Sequence, residues 1–130
     1  MAEVLFKSNA RTFRNLLPGL LWTVVIFGLS VMPAVNLPDS WSDLLTWDKL
    51  AHAFVYAVQT CLLLLGLRHA GHLNAGPILI VLVFSITFGA MMEVVQWAFF
   101  PGRYFEFTDI IANVIGSFIG YAMHQSKRIF

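Results

Sequence analysis

An all-α integral membrane bundle of four helices, with both termini on the cytoplasmic side, is the architecture this 130-residue sequence predicts. Three observations predict it. Hydrophobic residues make up 58% of the chain and charged residues only 12%, too few to clothe a water-soluble surface. The charges gather in short clusters that separate four long apolar stretches. Lys and Arg divide unevenly between the two ends of such an up-and-down chain: Lys7, Arg11, Arg14, Arg68, Lys127 and Arg128 fall at one end, only Lys49 and Arg103 at the other. Positive charge accumulates on the cytoplasmic side of short-looped membrane proteins, so the first group is placed inside. The length allows one domain and no sizeable extramembrane part. A net charge of +1, with no basic stripe interleaved with aromatics, argues against a nucleic-acid partner.

Span one is expected at residues 15–33, after the basic cluster, because a hydrocarbon core of roughly 30 Å needs about 20 apolar residues as helix. A basic start before an apolar run also fits a secretory signal peptide, but Ala34 beside Pro33 makes a poor cleavage site, which favours an uncleaved span. Span two, residues 50–67, is near the lower length for crossing, and its flanking polar side chains are placed to snorkel. From His69 to Gly76 two glycines, an asparagine and two histidines mark a turn; without a nearby carboxylate or cysteine, His69 and His72 read as a solvated loop. Span three, residues 77–100, opens with Pro77, suited to a first helical turn, and stops at Pro101 and Gly102. Span four, residues 109–125, has Thr108 as its expected N-cap and Asp109 in the first turn, where the helix dipole favours negative charge. The lone Cys61 reads as a small buried hydrophobe. Trp22, Trp41, Trp47 and Trp97 are spaced as an interfacial aromatic belt, with Trp97 a further candidate to line a pocket.

Glu93 is the residue that points to a site. It lies within the third apolar stretch, where a carboxylate is costly unless it has a partner or a purpose. In the predicted topology span two starts, span three ends and span four starts at the outer face. Asp48, Lys49, His52, Glu93, Gln96, Arg103, Asp109 and Asn113 are therefore expected together in the outer part of the bundle. At a rise of 1.5 Å per residue Glu93 lies ~10 Å inward of Phe100, a depth that suits a shallow cavity rather than a channel. Helical spacing groups Asp48, His52 and Tyr56 on one face, Glu93, Gln96 and Trp97 on a second, and Asp109, Asn113, Gly116 and Gly120 on a third. Gly116 and Gly120 form a small-xxx-small pair that permits close helix approach, which would let span four sit centrally.

These residues also carry a family resemblance. Asp48-Lys49 with His52 and Tyr56, Glu93 with Gln96, Pro101-Gly102-Arg103, and Asp109, Asn113, Gly116 and Gly120 in this order make the chain resemble the VanZ-like membrane proteins, a family named after a teicoplanin-resistance protein. The resemblance extends over nearly the whole chain. It implies a bacterial protein of the cytoplasmic (inner) membrane, multi-pass, associated in one branch of the family with low-level glycopeptide resistance. It implies no settled biochemical activity.

Three readings follow for the polar set. In the favoured one, Asp48, Lys49, His52, Tyr56, Glu93, Gln96, Arg103, Asp109 and Asn113 bind an amphiphile at the outer leaflet. That ligand is a membrane lipid, a lipid-linked envelope precursor or a lipoglycopeptide, and Lys49 and Arg103 are suited to a lipid phosphate. This reading needs no cofactor and assigns no metal. In the second, the protein is a small intramembrane enzyme: His52 is a general base oriented by Asp48, and Glu93 or Asp109 is an acid or, with His52, a metal ligand. Ser85, Thr87 and Ser117 lie too deep to be convincing nucleophiles, leaving an activated water. In the third, the cluster only fixes helix register, with Glu93 paired to Arg103 or His52.

Overall fold

The computed structural model describes the backbone of residues 2–32 and 44–126 and the side chains of residues 9–32 and 47–126. Pro33, Ala34, Trp41, Lys127 and Arg128, and the side chain of Lys7, on which parts of the sequence reading rest, lie outside these residues. The described residues form four α-helices: α1 (Ala2–Ser30), α2 (Leu44–His69), α3 (Ala75–Phe99) and α4 (Phe107–Ser126). The protein is an all-helical membrane protein. Three segments are long and apolar enough to cross a bilayer: Asn9–Ser30, Trp47–His69 and Ala75–Phe99. Helix α4, at 20 residues, is ~30 Å long, the thickness of a hydrocarbon core.

Local chemistry sets the helix ends. After His69 the chain closes a glycine-terminated cap: the Gly71 amide donates to the Arg68 carbonyl at 3.0 Å and the His72 amide to Leu67 at 2.9 Å. Gly71 takes φ +76°, a left-handed conformation that glycine adopts without steric cost. Asn74 then caps α3, its side-chain oxygen accepting from the Gly76 amide at 3.2 Å, with Pro77 in the first turn. One expectation at a helix start needs correction. Thr108 is not the N-cap of α4, because the helix already includes Phe107 and the Asp109 amide donates to the Glu106 carbonyl at 3.0 Å. Helix α2 starts at Leu44, so Asp48, Lys49 and His52 lie on one continuous helix.

Helix α2, not α4, is the centre of the bundle, packing against all three of the others. The reason is a run of small residues facing its partners. A Cβ added at Gly116 would strike the Ala53 carbonyl, and one added at Gly120 the Ala57 carbonyl, so α4 lies directly on the α2 backbone. This is a close approach of the kind small-xxx-small pairs allow, with alanines on one helix and glycines on the other. On the other side of α2, a Cβ at Gly66 would lie 2.5 Å from the Asn15 carbonyl oxygen of α1. The indole of Trp22 donates to the Val55 carbonyl at 2.9 Å. Trp22 thus ties α1 to α2 mid-span and is not part of an interfacial belt. Trp47 and Trp97 are exposed, as a belt requires.

The bundle is polar inside and apolar outside. Val24, Phe54, Ile80, Phe99, Ile115 and Phe118 are among many large hydrophobic side chains at the surface, where lipid rather than water is the compatible solvent. The interior holds Gln59, Thr60, Ser85, Asn113, Ser117 and His124, all 1% exposed or less. Thr60 donates to Ser85 at 3.1 Å, Gln59 to Thr23 at 3.2 Å, and Ser117 to the Asn113 carbonyl at 2.9 Å. The first two join different helices, and in lipid such interhelical bonds contribute about 0.6 kcal/mol each on average and hold the helices in register; the third lies within α4. A small apolar cluster of Leu63, Leu64 and Val81, flanked by Leu16, Leu73 and Tyr121, fills the end away from the site.

Candidate functional site

The C-terminal ends of α1 and α3 and the N-terminal ends of α2 and α4 meet at one end of the bundle. Between α1, α2 and α3 they leave a cavity of about 180 Å³. Ile26, Leu29, Val55 and Met92 give it an apolar wall, while Asp48, His52, Tyr56, Glu93, Gln96 and Arg103 supply the polar one. Ser30 and Ala51 complete the lining. Two of the helical faces border the cavity: Asp48, His52 and Tyr56 descend one face of α2 into it, and Glu93 and Gln96, without Trp97, line it from α3.

His52 is the hub. Its Nδ1 lies 3.0 Å from Asn113 Oδ1 and 3.6 Å from Glu93 Oε1. Its Nε2 lies 3.9 Å from both Asp48 Oδ1 and Asp109 Oδ2. Asn113 Oδ1 is the nearest oxygen to Nδ1, and the two aspartates lie on the Nε2 side of the ring. Glu93 is only 2% exposed and, among the described residues, accepts no hydrogen bond; His52 is its ionic neighbour. The Glu93–Arg103 pairing considered from sequence is not formed, and the Glu93–His52 approach is.

Lys49 and Arg103 play different parts. Lys49 ion-pairs with Glu106 and Asp109 and stands 3.6 Å from Asp48 Oδ2, so it neutralises the acidic rim instead of lining the cavity. Arg103, half-buried, does line it, and its Nη2 reaches the Met32 carbonyl at 3.5 Å, linking the α3–α4 loop to the end of α1. Asp109 and Asn113 are buried behind His52 and support it from α4. Trp97 is turned outward against Phe105, with ring centroids 6.5 Å apart, and is not among the residues around Glu93.

A model of the protein family described as VanZ/LLP1 matches residues 3–128. The chain belongs to the VanZ/LLP1 family. Comparison with curated proteins and with solved structures gives no match.

For this VanZ/LLP1 protein, sequence reasoning missed three features of the site. Ile26, Leu29 and Ser30 make α1 a wall of the cavity, although α1 carries no ionisable residue there; Ser30 at the end of an apolar run was the available signal. Glu106 is a direct partner of Lys49, a pairing foreshadowed by its position three residues before Asp109. Buried polar residues also continue below the cavity through Thr60 and Ser85, deeper than a purely shallow cluster. Gln59 and Thr60 interrupt the second apolar stretch and were the sequence signal for that depth.

Proposed function

We propose that this VanZ/LLP1 protein lies in the bacterial cytoplasmic membrane as a multi-pass bundle with both termini inside, so that the cavity opens at the outer leaflet. There it binds the headgroup of an envelope lipid or lipid-linked precursor and thereby modulates sensitivity to glycopeptides such as teicoplanin. The observation that carries this reading is the two-sided cavity, with an apolar wall from α1, α2 and α3 continuous with a charged end. An amphiphile entering from the membrane would lay its chain along Ile26, Leu29, Val55 and Met92. An anionic or acceptor group would meet Arg103, and hydroxyl or amine donors would meet Asp48, Glu93 and Gln96. At about 180 Å³ the cavity is smaller than the roughly 300–1,000 Å³ that encloses a drug-sized ligand. That supports a headgroup, or one arm of a larger molecule, over a whole lipoglycopeptide.

A second reading is favoured by His52 itself, which is oriented on both ring nitrogens and borders the cavity: hydrolysis of a lipid-linked substrate by a water that His52 activates. The deciding experiment pairs Glu93→Gln and Arg103→Ala in cells, measuring membrane abundance together with sensitivity to teicoplanin and to drugs that target lipid II. Normal abundance with loss of phenotype supports a functional cavity. Abundance that falls in step with phenotype overturns it in favour of a structural cluster. Partial activity in each variant fits a binder, whereas near-complete loss on removing His52 fits an enzyme.

A further inference from the structure

The arrangement around His52 Nε2 is electron-rich on every side. Asp48 Oδ1 and Asp109 Oδ2 each stand 3.9 Å from it, and donor atoms of these three residues all lie within 4.8 Å of one another. The second oxygens of the same two carboxylates are turned to Lys49, with Asp48 Oδ2 at 3.6 Å and Asp109 Oδ1 in direct contact. Lys49 thus engages the other oxygen of each carboxylate. On the opposite side of the ring, Asn113 Oδ1 at 3.0 Å and Glu93 Oε1 at 3.6 Å stand beside Nδ1.

We propose that Asp48, His52 and Asp109 bind one divalent transition-metal ion, Zn²⁺ or Mn²⁺, with Asn113 holding the imidazole in the ligating tautomer. Three lines of argument carry it. The first is geometry: donors held 2.0–2.2 Å from a zinc ion stand roughly 3.3–3.6 Å apart at tetrahedral angles, so the two 3.9 Å separations from the imidazole need to close by about half an ångström and the aspartate–aspartate separation, within 4.8 Å, by up to about 1.5 Å. The second is the side-chain oxygen of Asn113 placed 3.0 Å from the far ring nitrogen, the kind of outer partner that orients the ring in metal-binding histidines. The third is charge: among the described residues Lys49 is the one lysine or arginine paired with Asp48, Glu106 and Asp109, three carboxylates to a single ammonium.

One imidazole with two carboxylates is a mixed nitrogen and oxygen set, suited to Zn²⁺ or Mn²⁺ more than to Mg²⁺ or Ca²⁺, which prefer oxygen alone. Asp48 and His52 both border the cavity, so a fourth position on the ion would open into it. The inference goes beyond the lipid reading and does not depend on it: the ion binds whether or not an amphiphile does.

The test uses the full chain purified in detergent, stripped with chelator, re-dialysed against micromolar Zn²⁺ or Mn²⁺ and analysed for metal content, with Co²⁺ absorption as a second readout. We expect one ion per chain. Asp48→Asn, at a side chain 45% exposed and so tolerant of change, should weaken binding at least ~10-fold and abolish the Co²⁺ spectrum. Asn113→Ala should weaken it ~10- to 100-fold, whereas Asn113→Asp, which keeps an oxygen acceptor, should restore it. The His69→Asn/His72→Asn double variant should bind as wild type. The proposal is overturned if the stripped protein takes up no stoichiometric metal, or if Asp48→Asn binds as wild type. It is equally overturned if binding is lost only in the His69/His72 variant. Drug sensitivity plays no part in this readout, so failure of the metal proposal and failure of the lipid reading are separable.

Discussion

Replacing Gly116 with alanine inserts one methyl group where the α2 backbone already lies. The built Cβ meets the Ala53 carbonyl oxygen and lies 2.8 Å from both the carbonyl carbon and Cα of Ala53. These are backbone atoms and cannot rotate aside, so α4 must move away from α2. The natural control is Gly28→Ala on α1, where an added Cβ has no atom within 4 Å. Both substitutions gain the same helix propensity, about 1 kcal/mol, which cancels in the comparison. What remains is overpacking, typically about 1–3 kcal/mol, so Gly116→Ala should be less stable than Gly28→Ala by roughly 5- to 150-fold in the folding equilibrium constant. Detergent-solubilised protein titrated with a denaturing detergent and followed by far-UV circular dichroism and Trp fluorescence measures that difference. Because Gly116 follows Asn113 by three residues on the same face, the displaced α4 should also weaken the His52–Asn113 contact. Equal midpoints for the two variants would refute the claim that α4 rests on the α2 backbone.

Other residues make separate demands. Lys49→Met leaves Asp109, whose side chain is 8% exposed, without its cation; removing one partner of a buried pair costs about 3–5 kcal/mol. Glu106→Gln leaves Lys49 with Asp109 and should cost under about 1 kcal/mol, Glu106 being 38% exposed; the same detergent titration ranks the two, and a reversed order would contradict the assigned pairing. Trp22→Phe removes the indole donor to the Val55 carbonyl and should destabilise by about 0.5–1.5 kcal/mol, read as a lower thermal midpoint, whereas exposed Trp97→Phe should leave it within error. Ser85→Ala should leave Thr60 without the acceptor it now uses at 3.1 Å, at a cost of up to about 2 kcal/mol, while drug sensitivity stays unchanged if the site is confined to the cavity.

Much of the site was legible because its residues repeat at helical intervals. Asp48, His52 and Tyr56, or Asp109 and Asn113, share a face whatever the neighbouring helices do, since 3.6 residues per turn is a local property. The depth of Glu93 followed from counting residues back from Pro101. Partner choice was not legible in the same way. Lys49 and Arg103 were both matched to a lipid phosphate, and spacing gave no sign that Lys49 pairs with Glu106 and Asp109. Glu93 had two basic candidates, and the packing chose His52. Such choices depend on the rotation of one helix against another, to which spacing along a single helix is blind. The Thr108 expectation failed for a related reason: cap preference is a weak local term that the α3–α4 connection overrode.

Sequence alone determined that this is a helical membrane protein, where its apolar segments lie, and that Asp48, His52, Glu93 and Asp109 belong toward the same end of the bundle. Composition and periodicity are one-dimensional properties, and lipid admits few structures that satisfy every backbone amide. The tertiary structure alone decided that α2 is the hub, that α1 closes the cavity, and that His52 stands between an amide on one side and two carboxylates on the other. Those facts arise where Gly116 and Gly120 meet the carbonyls of Ala53 and Ala57. Contact between backbones distant in sequence sets the rotation of every side chain above it.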